Sequence, residues 1–206
     1  MDCQFCAEFT AQTSTTRIIT ETVGGWVLLP TIGTLTPGYC LFMPLAHLDA
    51  AADVNPADLR RVEAETEQMR TLIQARYGPV ILAEHGPRDC ELGASCCSHC
   101  HLHLIPVPDP DAISAAYEKT GGPGLRLTSM ADLPTVADGS YLYLSARPGE
   151  HHYWPSGGFA RQFVRRVCAD QFGIGGLFDW RDHPFTENHE RTFAELSADL
   201  RHPDAA

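Results

Sequence analysis

The chain has 206 residues, 44% of them apolar, and carries 15 Lys and Arg against 26 Asp and Glu, a formal charge of −11. That length suits one domain with an elaboration, and no apolar run approaches the ~20 residues that span a bilayer. The acidic balance argues against a nucleic-acid backbone as partner, which needs a basic surface, but leaves open a small phosphate-bearing substrate held by local positive potential.

In chain order, residues Thr16 to Thr22 and Trp26 to Leu29 read as two strands joined by a turn at Gly24-Gly25. Pro30 to Pro37 reads as a loop and Gly38 to Pro44 as another strand. Asn55-Pro56 is a helix start, with Asn as cap and Pro in the first turn. Leu59, Val62, Thr66, Met69 and Ile73 then follow the spacing of one amphipathic helix, which Gly78 ends. Pro79 to Glu84 reads as a short apolar strand, Ser98 to Ile105 as the next, and Pro106 to Pro110 as a break. The glycines within Thr120 to Gly124 mark a turn. A strand at Tyr141 to Ser145, a loop through Trp154 to Gly158, a helix from about Phe159 to Phe172 and a last helix from about Thr186 to Leu200 complete the chain. One long helix on an antiparallel sheet is an α+β pattern. The expected division is residues 1–110, a catalytic domain, and 111–206, a C-terminal α/β extension packed on it.

The most informative run is His99-Cys100-His101-Leu102-His103-Leu104-Ile105-Pro106. Successive side chains of an extended chain point to opposite faces, so the three histidines share one face at spacings of roughly 6.5–7 Å. Cys100, Leu102 and Leu104 point the other way, into a core. Packing alone gains little from a row of imidazoles, so the run marks a site.

This run resembles the pattern that names the histidine triad (HIT) family, His-x-His-x-His followed by apolar residues. Cys3-Gln4-Phe5-Cys6 looks like that family's optional zinc knuckle, and Gly38 to His47 looks like its strand ending in Pro-x-x-His. Glu84-His85-Gly86-Pro87 looks like a variant of its second conserved strand end. The likeness covers Cys3 to about Pro108 and points to the zinc-containing bacterial branch with a C-terminal extension. It implies that His101 attacks the α-phosphorus of a nucleotide and expels the leaving group, and that water then releases the nucleoside monophosphate. It implies that His103 hydrogen-bonds the phosphoryl oxygens. It also implies a structural Zn2+ in a closed site of Cys3, Cys6, His47 and His99, a small nucleotide as partner and a homodimer.

Neutral imidazole is a good nucleophile near pH 7, and covalent catalysis splits one hard displacement into two easier ones. The attacking nitrogen must be free of its proton, so the other ring nitrogen should donate to a fixed carbonyl. Two segments depart from the family. Ala94-Ser95-Cys96-Cys97-Ser98 stands where better-known branches carry Gly-Gln-Ser, with Ser95 and Ser98 as the available substitutes. The inserted Pro87-Arg88-Asp89 offers Arg88 as a positive charge, or as an exposed loop residue. The competing metal assignment uses Cys90, Cys96, Cys97 or Cys100, the last disfavoured because it faces away from His99, and Cys96 with Cys97 are candidates for a separate site or redox pair.

Among the eight cysteines, most bunch around histidines in a chain that is not short. Zinc thiolates in a reducing cytoplasm are therefore expected over a disulfide scaffold, and the N-terminus lacks a basic-then-apolar export signal. Cys40 and Cys168 read as small buried apolar residues. Arg161, Arg165 and Arg166 form the densest basic cluster. Arg161 and Gln162, expected at a helix start, are candidates for recognising a leaving group. Trp26, Leu28 and Phe42 are the expected wall of a base pocket between the first strands and the long helix. The function expected is a hydrolase of a nucleoside 5′-phosphoanhydride or phosphoramidate. The alternatives are a nucleotidyltransferase or phosphorylase using the same intermediate, and a zinc-containing nucleotide-binding module without turnover, which an intact His101 disfavours.

Overall fold

A computed structural model describes residues 3–11, 17–86 and 99–202. Its helices are α1 (Gln4–Thr10), α2 (Pro56–Tyr77), α3 (Pro110–Gly121), α4 (Leu133–Val136), α5 (Phe163–Gln171) and α6 (Thr186–Arg201). Its strands are β1 (Thr20–Glu21), β2 (Trp26–Pro30), β3 (Cys40–Pro44), β4 (Val80–Gly86), β5 (Leu102–Pro106), β6 (Leu125–Leu127), β7 (Tyr141–Ser145) and β8 (His151–Pro155). All eight lie in one sheet, in the order β1-β2-β3-β5-β4-β7-β8-β6, with antiparallel pairing throughout. The fold is α+β. The sheet crosses residue 110 without a break, because β7 pairs directly with β4.

The long helix forms for the reasons its sequence gives. The Asn55 side chain accepts from the N–H groups of Ala57 (3.1 Å) and Asp58 (3.0 Å), and Pro56 opens the first turn. Leu59, Val62, Thr66 and Ile73 are buried along one stripe. They cover a sheet face made of Trp26, Leu28, Phe42, Leu82, Leu102 and Leu104. The opposite face carries Val27, Leu29, Leu41, Met43, Ile81 and Ile105, packed with Ile113 and Tyr117 of α3 and Val164 and Cys168 of α5. A sheet covered on both faces needs strands apolar on both sides, and every residue of β4 is buried.

Several boundaries differ from the sequence reading. The ladder of β5 begins at Leu102, because the N–H of Cys100 bonds the Leu48 carbonyl (2.6 Å) and not a neighbouring strand. α3 follows the proline break, capped by Asp109 on the N–H groups of Asp111 and Ala112. β8 covers His151 to Tyr153, to which the sequence reading gave no element, and the first two residues of the expected loop, since its His-His-Tyr-Trp run lacks apolar alternation. α5 starts at Phe163, after Gln162 adopts a left-handed conformation (φ 58°, ψ 34°). Cys40 and Cys168 are fully buried, as expected, and burial pushes the Cys168 thiol up to about 12.

The C-terminal segments grip the loop between β2 and β3. The Gly33 N–H donates to the Pro184 carbonyl (3.0 Å), Asn188 Nδ2 donates to the Thr34 carbonyl (2.9 Å), and Gly38 N–H donates to Thr192 Oγ1 (2.8 Å). Gly33 holds φ +72°, and a Cβ there would meet Trp180 Cβ at 2.5 Å. Gly33→Ala therefore meets both a left-handed backbone penalty and overpacking. Denaturant unfolding should register a loss of roughly 2–4 kcal/mol; wild-type stability would mean that the loop has another low-energy path.

Candidate functional site

The triad face is set by short-range geometry. Nδ1 of His101 lies 2.6 Å from the carbonyl oxygen of its own neighbour His99. A carbonyl only accepts, so Nδ1 carries the proton and Nε2 carries the lone pair. His103 follows on the same face, its ring centre 4.8 Å from that of His101 at 72°. Nδ1 of His103 is hydrogen-bonded to the Tyr39 hydroxyl (2.7 Å). Its Nε2 is buried and has no hydrogen-bond partner among the described residues. Burial, and then the charges of His101, His85 and Arg165, hold His103 well below the usual imidazole range.

A fourth imidazole completes the group. His85 of β4 sits with its ring centre 5.5 Å from that of His103. Its Nε2 accepts from the Val164 N–H (3.2 Å), the first turn of α5, so its Nδ1 bears the proton. Burial pushes its pKa down to about 3, with His101 and Arg165 adding to the effect. On the opposite face, the buried Glu84 carboxylate accepts from the Ala51 N–H (2.8 Å) and the Tyr141 hydroxyl (2.5 Å). The Cys100 thiol lies 3.5 Å from it. Desolvation raises the Glu84 pKa against these donors.

His85, His101 and His103 line a cavity that is partly open to solvent. Its walls come from three parts of the chain: Phe5 of α1, Ile32 of the β2–β3 loop, and Arg165, Trp180 and Arg181 of the C-terminal half. Phe5 packs on the rings of His99 and His101 at 5.5 and 6.0 Å between centres. Gln162 also lines the cavity, and its Oε1 has no partner among the described residues.

Cys3, Cys6, His47 and His99 form a cluster whose ligand atoms all lie within 4.8 Å of one another, and it can hold a metal ion. Cys3 Sγ is 3.4 Å and Cys6 Sγ 3.6 Å from Nδ1 of His99, while Cys6 Sγ is 3.2 Å from Nδ1 of His47. The far nitrogens are occupied: Nε2 of His99 donates to the Pro44 carbonyl (2.8 Å), and Nε2 of His47 lies 3.4 Å from Asp49. Both imidazoles therefore turn an Nδ1 lone pair toward the thiols, the arrangement that outer hydrogen bonds impose on metal-binding histidines. Two thiolates and two imidazoles also suit a tetrahedral cation.

The expected residues divide by location. His99, His101, His103, Cys3, Cys6, His47 and Gln162 are brought to the triad face or its border. Arg161 is exposed and does not line the cavity; its carbonyl accepts from Arg166 Nε (2.8 Å). It lies before α5, in the turn that Gln162 closes, and not in the expected helix. Trp26, Leu28 and Phe42 are not the cavity wall: they face α2 on the other side of the sheet, because strand alternation sends them away from His101. Arg88, Ser95, Ser98, Cys90, Cys96 and Cys97 lie outside the described residues. The sequence reading gave no role to His85, Tyr39, Phe5, Trp180 or Arg181, which come together only through the tertiary fold.

No protein-family model matches the chain, and no curated protein sequence matches it. Among solved structures it is similar to a hypothetical histidine triad nucleotide-binding protein from Sulfolobus tokodaii strain 7. That match has 15% identity and a TM-score of 0.41 over 50% of this chain and 68% of that one. It is also similar to a HIT family protein from Bacillus anthracis str. 'Ames Ancestor', with 21% identity and a TM-score of 0.43 over 51% of this chain and 72% of that one.

The neutral His85 has a consequence for stability. Unfolded histidine titrates near ~6.5, and His85 in the fold near about 3. Between these values the unfolded chain binds the extra proton, so this contribution is full above pH ~6.5 and is lost as pH falls through the window. Replacing His85 by Gln removes it while keeping an acceptor for Val164. The slope of unfolding free energy between about pH 6 and 4 should flatten by about 1.4 kcal/mol per pH unit in urea titrations. An unchanged slope would mean that His85 is not held neutral.

Proposed function

We propose that this chain is a nucleotide hydrolase of the histidine triad type, acting through a covalent nucleotidyl group on His101. The observation that carries the reading is the 2.6 Å hydrogen bond from His101 Nδ1 to the His99 carbonyl. It fixes the tautomer with an unprotonated Nε2 and disperses the positive charge that forms when Nε2 attacks phosphorus. The Nε2 lone pair makes the N–P bond at the α-phosphorus, and the bond to the leaving group breaks with its electron pair. Water then attacks the same phosphorus, and the N–P electrons return to His101, giving a nucleoside 5′-monophosphate. With the Tyr39 hydroxyl donating to Nδ1 of His103, the N–H at Nε2 of that ring is a donor for a phosphoryl oxygen. Negative charge accumulates there in the transition state. Gln162 adds an acceptor on the same side of the cavity. By the family resemblance, Ser95, Ser98 and Arg88 are proposed to join these contacts.

The metal in this reading is Zn2+, held by Cys3, Cys6, His47 and His99. Four protein ligands leave no open position, so its part is structural. It ties α1 to the residue whose carbonyl orients the nucleophile.

Two measurements test the reading. His101→Asn should fold and still bind nucleotide, while turnover falls by three or more orders of magnitude, about the scale of losing a covalent nucleophile. Near-normal activity would remove the mechanism, as would inorganic phosphate appearing first, with no nucleoside monophosphate. For the metal, elemental analysis should give one zinc per chain. Cys3→Ser and His47→Ala should lose it, with a melting temperature lower by about 5 °C or more. Full zinc in both variants would place the ligands elsewhere.

A further inference from the structure

The cavity beside the triad has a charge character opposite to that of the chain. The protein carries a formal −11, yet the described cavity lining contains two arginines and three histidines and no Asp or Glu. Arg165 is the unusual member. It is 3% exposed, and burying a guanidinium is costly unless a counter-charge offsets it. Its Nε donates to the Phe178 carbonyl (2.8 Å) and its Nη2 to the Gly33 carbonyl (2.7 Å). Its Cζ lies 5.5 Å from the centre of the Tyr39 ring. Those two bonds use two of five N–H donors. No ion pair among the described residues includes Arg165, whereas the other buried arginine, Arg70, has Glu67 at 3.5 Å. The nearest acidic group named with it is Asp179, which accepts from the Arg181 N–H (3.0 Å) and from the Gln162 side chain, lies 3.9 Å from Arg181 Nη1, and feels the Arg165 charge only as a lesser influence holding its carboxyl down. Arg181 stands at the cavity margin, half exposed, with its Cζ 4.5 Å from the centre of its neighbour Trp180. The fold thus holds one guanidinium rigidly beside the imidazoles, with no carboxylate among the described residues within ion-pair distance of it.

We infer that the group expelled from phosphorus carries its own negative charge, so that the substrate is a phosphoanhydride, a nucleotide joined to a further phosphate, and that Arg165 with Arg181 selects it. This rests on the reading that His101 attacks an α-phosphorus. The bond between the α-phosphorus and the bridging oxygen breaks with its electron pair on that oxygen. The departing phosphate gains one negative charge and leaves without needing a proton. A guanidinium suits that event, since it stabilises an anion at fixed geometry and has no proton to give at ordinary pH. An amine leaving a phosphoramidate must first be protonated on nitrogen, and Arg165 offers nothing toward that.

The test compares Arg165→Gln with the wild type on a dinucleoside polyphosphate and on a nucleoside 5′-phosphoramidate of a simple amine. The loss of kcat/KM on the anhydride should be about 10- to 100-fold, the worth of one charge-assisted contact, with little change on the amidate. An equal loss on both would assign Arg165 to the α-phosphoryl group that the two substrates share and overturn the inference. Calorimetric binding of inorganic pyrophosphate gives a second readout that needs no turnover. It should weaken about tenfold or more in Arg165→Gln, and unchanged affinity would overturn the inference. Absence of turnover in the wild type would instead count against His101 as nucleophile, and pyrophosphate binding would still decide the anion site. Should Arg165→Gln not fold, Arg181→Gln, at the exposed margin, decides the same point: its pyrophosphate affinity should fall severalfold, and wild-type affinity would contradict a two-cation site.

Discussion

The hydrogen bond between His101 Nδ1 and the carbonyl of His99 sets what the rest of the site can do. Imidazole has two nitrogens and, near neutrality, one proton to place. By placing it on the inner nitrogen, the backbone leaves the lone pair of the neutral ring on the outer nitrogen. His99 contributes to two structures at once. Its carbonyl orients the His101 ring, its Nε2 is tied to Pro44, and its Nδ1 faces the thiols of Cys3 and Cys6. The candidate metal cluster and the orientation of the His101 ring therefore depend on one residue. A metal bound there anchors the segment whose backbone fixes the tautomer.

The second constraint is burial on both sides of the sheet. β4 and β5 place Ile81, Ala83, His85, His103 and Ile105 on one face, and that face is covered by α3 and α5. Without the C-terminal half the imidazoles would look into solvent. With it, His85 and His103 sit in an environment that keeps them neutral, and one wall of the cavity carries two guanidiniums. α6 and the residues before it brace the β2–β3 loop from outside, through Pro184, Asn188 and Thr192. The face that carries the histidines is thus finished by residues distant in sequence, within a single chain.

Strand alternation and helix caps made much of this legible from the sequence. The positions of α2, β7 and α6 and the shared face of His101 and His103 follow from local spacing, and these are the features in which local geometry and tertiary structure agree; the quartet of Cys3, Cys6, His47 and His99 came from the family resemblance alone. The Asp109-Pro110 start of α3 uses the same capping chemistry as Asn55-Pro56, but it lies within a proline-rich break that hid it. β8 was not legible because its His-His-Tyr-Trp run has no apolar period, and its pairing with β7 is what makes it a strand. The base-wall residues went wrong through a single parity: Trp26, Leu28 and Phe42 occupy the strand positions that face α2, one residue out of step with Leu41, which lines the cavity. Arg165 and Trp180 were beyond reach, since their meeting with the triad depends on a long-range fold and on the left-handed turn at Gln162.

The most direct test of the central claim is to trap the covalent step. The protein is mixed briefly with a nucleoside phosphoanhydride, quenched in base, in which phosphorus–nitrogen bonds to imidazole survive, and digested for mass spectrometry. The account predicts a nucleoside-monophosphate adduct on the peptide carrying His99 to Pro106, assigned by fragmentation to His101, labile to acid and absent from His101→Asn. An adduct on His103 or His85, or continued turnover with no adduct on any histidine, would contradict it.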